Sequence, residues 1–453
     1  MYDNIGGISM KKVLVYGLGL TGISSVKTLE KEGYEVYTYD KNKKNVKELE
    51  GYKYSPISDL EIDTIPYDFV VKSPGIPPHG EIVKRLSRKY EIISDIELSY
   101  RLFPDAKIIS ITGTNGKTST TSMVTHILNE SGIKAISVGN IGEGILWQMA
   151  TNKDAVFVCE LSSFQLYDVK NYKPKIATIT NISEDHIDWH GTFDDYINSK
   201  INISKNQDED DYIIINHEDE ILQDHKSSYK AKIYEFSSKN EVERGIFLKR
   251  STIYLKDEKI EKLIDVDDLL VIGNHNYENI MAASLCAYLF GIDISDIKNA
   301  LKTFKSIEHR LEYVDAISGV KVYNDSKGTN VDSSVKAIES FNSPIIIIAG
   351  GYNKHIDYSA YVKAFKKKGK LMVIMGETSE ILANLCKEEG VSYIKAKDMK
   401  EAVDISFDHA SDGDVILLSP ASASWDMYKN FELRGEDFKA KVLEYKKRKI
   451  KWE

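Results

Sequence analysis

The residues TGTNGKTSTT at 112–121 follow the apolar run KIISI at 107–111 and precede a helix-like stretch. A β-branched strand that runs into glycines, then Lys-Thr, then a helix is the layout of a phosphate-binding loop. The glycines let backbone N–H groups curl around phosphate oxygens, the lysine adds positive charge, and the following hydroxyl can hold Mg²⁺. ATP or GTP is therefore the expected ligand of Gly113, Thr114, Asn115, Gly116, Lys117, Thr118 and Ser119. The spacing is tighter than G-x-x-x-x-G-K-T, whose first glycine would fall at Ile111.

A second glycine cluster, Gly17-Leu-Gly19-Leu-Thr-Gly22, follows the strand-like KVLVY and opens a helical pattern with Ile23, Val26 and Leu29 on one face. The next strand, EVYTY, ends at Asp40, where a dinucleotide fold places its ribose-binding carboxylate. From these residues alone three readings stand. One is an NAD site, one is a glycine turn for close helix–strand packing, and one is a different nucleotide whose diphosphate uses the same helix N-terminus.

The 453 residues suggest several domains. The pattern predicts an α/β chain of three. Residues 1–102 form a Rossmann-like domain. Residues 103–306 form a central phosphate-loop domain, with a mostly parallel sheet and an antiparallel patch over 232–264. Residues 307–453 form a C-terminal Rossmann-like domain. Central strands are expected at 155–159, 175–180 and 211–215, helices at 194–205 and 279–291, and later strands at 344–348, 371–375 and 415–418. Met10 directly precedes KKVLVYG, so residues 1–9 read as an upstream extension.

The net charge of −9 argues against a nucleic-acid coat, and no apolar run approaches the roughly 20 residues that span a bilayer. Three widely spaced cysteines, Cys159, Cys286 and Cys386, form no CxxC pair, which fits a reducing cytoplasm. The expectation is a cytoplasmic monomer with no nucleic-acid or membrane partner.

Other polar residues sit where strands are expected to end. Glu160, in ELSSFQ, is placed to hold Mg²⁺ or to cap the next helix. His186, in NISEDHIDWH, is a metal ligand or a structural histidine, and Lys200 reads locally as part of a solvated helix face. GNHNYEN at 273–279 starts a helix whose Asn side chains can cap it or bind a base or ribose. His309-Arg310 is a basic pair that closes onto phosphates or forms an interdomain salt bridge. The polar runs NDSKGTN (324–330), GGYNK (350–354) and SPASASWD (419–426) follow strands of one domain and mark a binding edge.

Taken together, TGTNGKTSTT, ELSSFQL, NISEDHIDWHG, GNHNYEN, EHRLE, NDSKGTN and LLSPASASWDMYKNFELRGEDF resemble the ATP-dependent muramyl ligases of cell-wall precursor synthesis, in that family's order and along the whole chain. The GLGLTG start, SPGIPP, NDSKGTN and SPASAS…NFELRG look like the members that add D-glutamate. The resemblance implies UDP-N-acetylmuramoyl-L-alanine and D-glutamate as substrates, ATP with two Mg²⁺ sites, and an acyl phosphate that an amine displaces. It assigns Lys117 to the phosphates, Thr118 and Glu160 to one Mg²⁺, and His186 with Lys200 to the other. Lys200 matches the family's carbamylated lysine, its carbamate derived from CO₂. Asn276, Asn279, Arg310 and Asp325 fall to ATP. Leu20, Thr21, Asp40, Lys41, Ser73 and Asn140 fall to the UDP-bearing acceptor. Lys327, Thr329, Lys354, Ser424 and Phe431 fall to D-glutamate. Rival functions are an NAD-dependent oxidoreductase and a nucleotide-switched binding protein.

Overall fold

A computed structural model describes residues 10–42, 46–305 and 308–450. The expected extension at 1–9 and the expected boundary at 306/307 lie outside those residues. The chain folds as mixed α/β around three sheets.

The first sheet has five parallel strands. In spatial order they are Ser55–Pro56, Glu35–Tyr39, Lys12–Tyr16, Phe69–Lys72 and Glu91–Ile93. This is the order of a doubly wound nucleotide-binding half, and its topological switch lies between Lys12–Tyr16 and Phe69–Lys72. The glycine turn after Tyr16 and Ser73 after Lys72 therefore emerge side by side at the crevice where such sheets bind ligands.

The central sheet has nine strands. Lys107–Thr112 lies between Val156–Glu160 and Ile176–Ile179, so the loops after these three strands leave the same edge together. Lys107–Thr112 and Val156–Glu160 are buried on both faces, as continuous apolar runs in parallel sheets are. The strand Thr252–Lys256 instead alternates between buried and partly exposed residues. The antiparallel patch is smaller than expected. Lys232–Ser237 pairs in parallel with both Tyr212–Asn216 and Gly245–Lys249, and only Gly245–Lys249, Thr252–Lys256 and Ile260–Asp265 run antiparallel. Short strands separated by turns suggested hairpins throughout, but the residues between Ser237 and Gly245 return the chain in the parallel sense. The expected helices also move. One spans Asn274–Phe290 and so takes in all of GNHNYEN after its glycine; another ends at Ile201, followed by the tight turn Asn202–Ser204.

The last sheet has six strands. Val415–Leu418 lies between Val320–Asn324 and Ile345–Ala349, and only Glu312–Ile317 is antiparallel. The runs NDSKGTN, GGYNK and SPASASWD thus follow three neighbouring strands.

The chain divides into two compact units. One comprises the described residues up to Asp265 with Glu278–Leu301; the other comprises Val266–Tyr277 with the described residues from Lys302 onward. Within the first unit one apolar core joins the first and central sheets, from Val13, Val26 and Ile96 to Leu146, Phe157 and Tyr172. Two clusters cover the two faces of the last sheet, one around Ile347 and Tyr361, the other around Ile348 and Phe438. Among the described residues no helix is long and apolar enough to cross a membrane.

Candidate active site

The phosphate loop owes its shape to two glycines and to the segment facing it. Gly113 has φ +146° and Gly116 has φ +84°. A Cβ on Gly113 would lie 1.9 Å from Thr180 Oγ1, and one on Gly116 would lie 2.3 Å from Asn279 Oδ1, so neither position admits a side chain. Thr180 Oγ1 donates to the Asn115 carbonyl at 2.6 Å. Asn181 accepts from Asn115 N at 2.9 Å and donates to Asn115 O at 3.1 Å. Thr114 and Ser183 exchange two further hydrogen bonds, at 2.9 and 3.1 Å. Sequence reasoning assigned Thr180, Asn181 and Ser183 no role; their place at a strand end in NIS was the only signal. Lys117 begins the helix Lys117–Glu130, and its Nζ donates to the Gly113 and Thr114 carbonyls, each at 2.9 Å.

Lys200 belongs here rather than on a solvated face. It is 2% exposed, its Nζ donates to Gly113 O at 2.6 Å, and it lies 4.7 Å from the Tyr196 ring centroid. Burial, and then the nearby Lys117 charge, holds its pKa well below the ordinary lysine range. The local pattern misled because a helix that packs its inner face against a loop carries that loop's polar partners there.

Glu160 is 1% exposed. Asn140 Nδ2 donates to its Oε1 at 3.0 Å, while Oε2 is buried with no hydrogen-bond partner. An orphaned buried carboxylate oxygen beside a phosphate loop suits a hard cation. His186, half-exposed, has φ +52°, a strained conformation for a residue with a side chain, and lies beside the Phe164 ring. Among the described residues no three His, Cys, Asp or Glu side chains gather around one point. His190, which the sequence marked only as a member of the NISEDHIDWH cluster, is buried. Its Nε2 lies 2.9 Å from Ser163 Oγ, and burial, reinforced by the Lys200 and His186 charges, lowers it to about 4.

At the first sheet's crevice, Gly22 is locked by packing, because a Cβ would meet Gly17 O at 1.9 Å, whereas Gly19 faces open space. That division suits a diphosphate approaching the middle glycine. Asp40 braces the turn, accepting from Leu18 N at 2.6 Å and Asn42 N at 2.8 Å. Ser73 Oγ donates to Gly17 O at 2.9 Å and lies 3.5 Å from Thr21 Oγ1. Leu20 and Lys41 are exposed.

In the second unit, Asp325 is buried between Ser419 Oγ, 2.8 Å from Oδ2, and Leu311 N, 3.3 Å from Oδ1; burial raises it to about 7. Arg434 was quoted within NFELRG without a role. Its guanidinium, 3% exposed, donates to Ser326 Oγ (3.0 Å), Ser326 O (2.8 Å) and Ser422 O (3.0 Å), tying two of the three polar loops together. Lys327 Nζ sits 5.7 Å from the Phe431 ring centroid, and Lys354 Nζ sits 5.4 Å from that of the exposed Trp425. Ser424 is buried and Thr329 half-buried. Asn276 donates to Ile272 O at 2.7 Å, and Arg310 is exposed, its charge adding to the burial that lowers His275 to about 4.

The Mur ligase middle domain matches residues 111–287, and the Mur ligase glutamate ligase domain matches residues 309–422. UDP-N-acetylmuramoylalanine–D-glutamate ligase of Thermoanaerobacter sp. (strain X514) is 41% identical over 452 residues, covering 96% of this chain and 99% of the relative. The enzyme of the same name from Clostridioides difficile (strain 630) is 41% identical over 445 residues, covering 95% and 98%. Among solved structures, UDP-N-acetylmuramate-alanine ligase from Thermotoga maritima matches in fold with a TM-score of 0.56 at 19% identity, covering 96% of this chain and 100% of that one. With both family domains in order and this identity sustained from end to end, the chain belongs to the Mur ligase family.

Proposed function

We propose that this protein joins D-glutamate to UDP-N-acetylmuramoyl-L-alanine with hydrolysis of ATP to ADP and phosphate, a step of cytoplasmic peptidoglycan precursor synthesis. The observation that carries this reading is the end-to-end similarity to relatives named for that reaction, at 41% identity.

The acceptor's UDP group lies at the glycine turn, with its diphosphate toward Gly19 and the helix Leu20–Lys31 and its remaining contacts to Leu20, Thr21, Asp40, Lys41 and Ser73. Asn140 then serves both the acceptor and Glu160, to which it is already bonded. ATP phosphates lie in the 113–119 loop, where Lys117 offsets their charge, and Asn276, Asn279, Arg310 and Asp325 hold the nucleotide. The alanyl carboxylate attacks the γ-phosphorus, ADP leaves, and the acyl phosphate remains. The neutral amine of D-glutamate attacks the acyl carbon, and phosphate departs from the tetrahedral intermediate. Lys327, Thr329, Lys354, Ser424 and Phe431 hold the incoming amino acid, with the Lys354 ammonium suited to its side-chain carboxylate.

Mg²⁺, when bound, neutralises charge on the transferring phosphoryl group. Thr118 and the orphaned Glu160 Oε2 would hold one ion, His186 and Lys200 a second. Burial against a loop carbonyl lowers the pKa of Lys200 and so favours its neutral form, which has the electron pair to attack CO₂; with loss of a proton the carbamate so formed is anionic like a carboxylate.

The test is ADP release measured with each substrate omitted in turn and across a panel of amino acids. Release that requires both the UDP acceptor and D-glutamate supports the reading. Equal turnover without D-glutamate, or preference for another amino acid, overturns it.

A further inference from the structure

One buried ammonium has no part in the steps above. Lys72 ends the apolar strand Phe69–Lys72, and its side chain is 1% exposed. Three contacts converge on its Nζ. It donates to Ile76 O at 2.9 Å, within the turn that begins at Ser73. It lies 3.1 Å from Asp168 Oδ2, an ion pair whose angle is too poor for a hydrogen bond. It also lies 5.5 Å from the centroid of the Trp189 ring. Asp168 caps the helix Ser163–Tyr167 that follows Glu160, and Trp189 belongs to the helix Ile187–His190 next to His186. The Ser73–Ile76 turn packs directly on the glycine turn, because a Cβ on Gly17 would lie 2.8 Å from Ser73 Cβ and 2.9 Å from Ile76 Cδ1. Lys72, Thr21, Ser73 and the buried Asp95 surround one gap too small for a water molecule, and Asp95 accepts a long hydrogen bond from Gln165 at 3.4 Å.

A buried ion pair is poor evidence of stabilisation, since a well-packed apolar residue often serves as well or better. What the charge provides here is direction. One ammonium fixes a carbonyl of the turn that carries Ser73, the cap of the helix after Glu160, and an aromatic face in the loop that carries His186. We propose that Lys72 is a positioning residue for the acceptor substrate, setting the Ser73–Ile76 turn in register with the phosphoryl-transfer loops of the central sheet. This rests on the placement of the UDP group at Thr21 and Ser73 given above.

Steady-state kinetics of Lys72→Met, Asp168→Asn and Ser73→Ala test it, each variant first checked by thermal melting. Lys72→Met removes the charge while filling most of the volume. Its KM for UDP-N-acetylmuramoyl-L-alanine is expected to rise about tenfold, with the KM for ATP changed by less than about twofold. Asp168→Asn is expected to shift the same constant in the same direction by about threefold, and the double variant to be no worse than Lys72→Met alone, as for partners in one interaction. A merely structural role would raise the KM values for ATP and acceptor together, and that outcome overturns the proposal, as does an unchanged acceptor KM. If Lys72→Met does not fold, the split between acceptor and ATP in Asp168→Asn decides. If Ser73→Ala raises the acceptor KM and Lys72→Met does not, the inference about Lys72 fails alone. If neither does, the placement of the acceptor fails as well.

Discussion

At the central sheet's edge the loops after Thr112, Glu160 and Ile179 leave together, and at the last sheet's edge those after Asn324, Ala349 and Leu418 do the same. Both are parallel arrangements with a central strand flanked on each side, yet their polar groups are satisfied differently. The central edge keeps groups that the fold does not satisfy. Glu160 Oε2 is buried without a hydrogen-bond partner, the buried Lys200 has its pKa held well below the ordinary lysine range, and His186 is held in a strained conformation. At the last sheet's edge Asp426 Oδ1 is likewise buried without a hydrogen-bond partner, but the groups that link the loops are satisfied. Arg434 spends its guanidinium on Ser326 and Ser422, and Asp325 is bonded by Ser419 and Leu311. Unsatisfied buried groups await a ligand, whereas satisfied ones hold loops. Substitution of Lys200 or Glu160 should therefore lower activity more than stability, and substitution of Arg434 the reverse.

The sharpest way to break this contrast is Lys200→Ala. Turnover should fall by about a thousandfold or more, with partial recovery when small carboxylates are added, as measured by ADP release. Full activity would remove Lys200 from the chemistry. Glu160→Gln comes next. Turnover should drop about a hundredfold while the melting temperature holds or rises, because a buried charge lacking one partner is removed. A variant that loses activity and stability together would mean that Glu160 holds the fold rather than a cation. Arg434→Met should behave in the opposite way, costing about 3 kcal/mol in a denaturant titration because Ser326 and Ser422 carbonyls lose a charged donor. A change within error of the parent would show that the two loops need no such tie.

The smallest effect concerns pH. Asp325 ordinarily titrates near 3.8, and burial raises it to about 7 in the fold. The folded state thus binds this proton more tightly than the unfolded chain does. The associated stability is complete below pH 3.8 and is lost as pH rises through about 7. Asp325→Asn cannot ionise, so its melting temperature relative to the parent should improve between pH 5 and pH 8 by a few degrees, equivalent to roughly 2–3 kcal/mol. A pH-independent difference would show that Asp325 keeps the same protonation state in the folded and unfolded chains across that range.

Both glycine turns, most of the strands and the division into three sheets are legible in the sequence because each depends on local signals. Alternating or continuous apolar runs, glycine at tight turns and polar residues at strand ends declare themselves within a few positions. The direction of the strand Lys232–Ser237 was misread because short strands with turns look alike whether the chain returns in the parallel or the antiparallel sense. Lys200 looked like any lysine on a charged helix, and only its contact with Gly113, 87 residues away, removes it from solvent. Thr180 and Asn181 were given no role, and His190 none beyond its place in the NISEDHIDWH cluster, for the same reason, since their partners lie across the site rather than along the chain.

By itself, then, the sequence marked 112–121 as a phosphate-binding loop and Gly17–Gly22 as the glycine turn of a strand–turn–helix unit, and, through motif order, showed which family these features resemble. Only the tertiary structure decided which charges are buried, which of those are paired, and which residues hold the loops in register. Burial and pairing are set by what packs against a side chain from distant segments. That information is spread over the whole chain and has no local period from which it could be read.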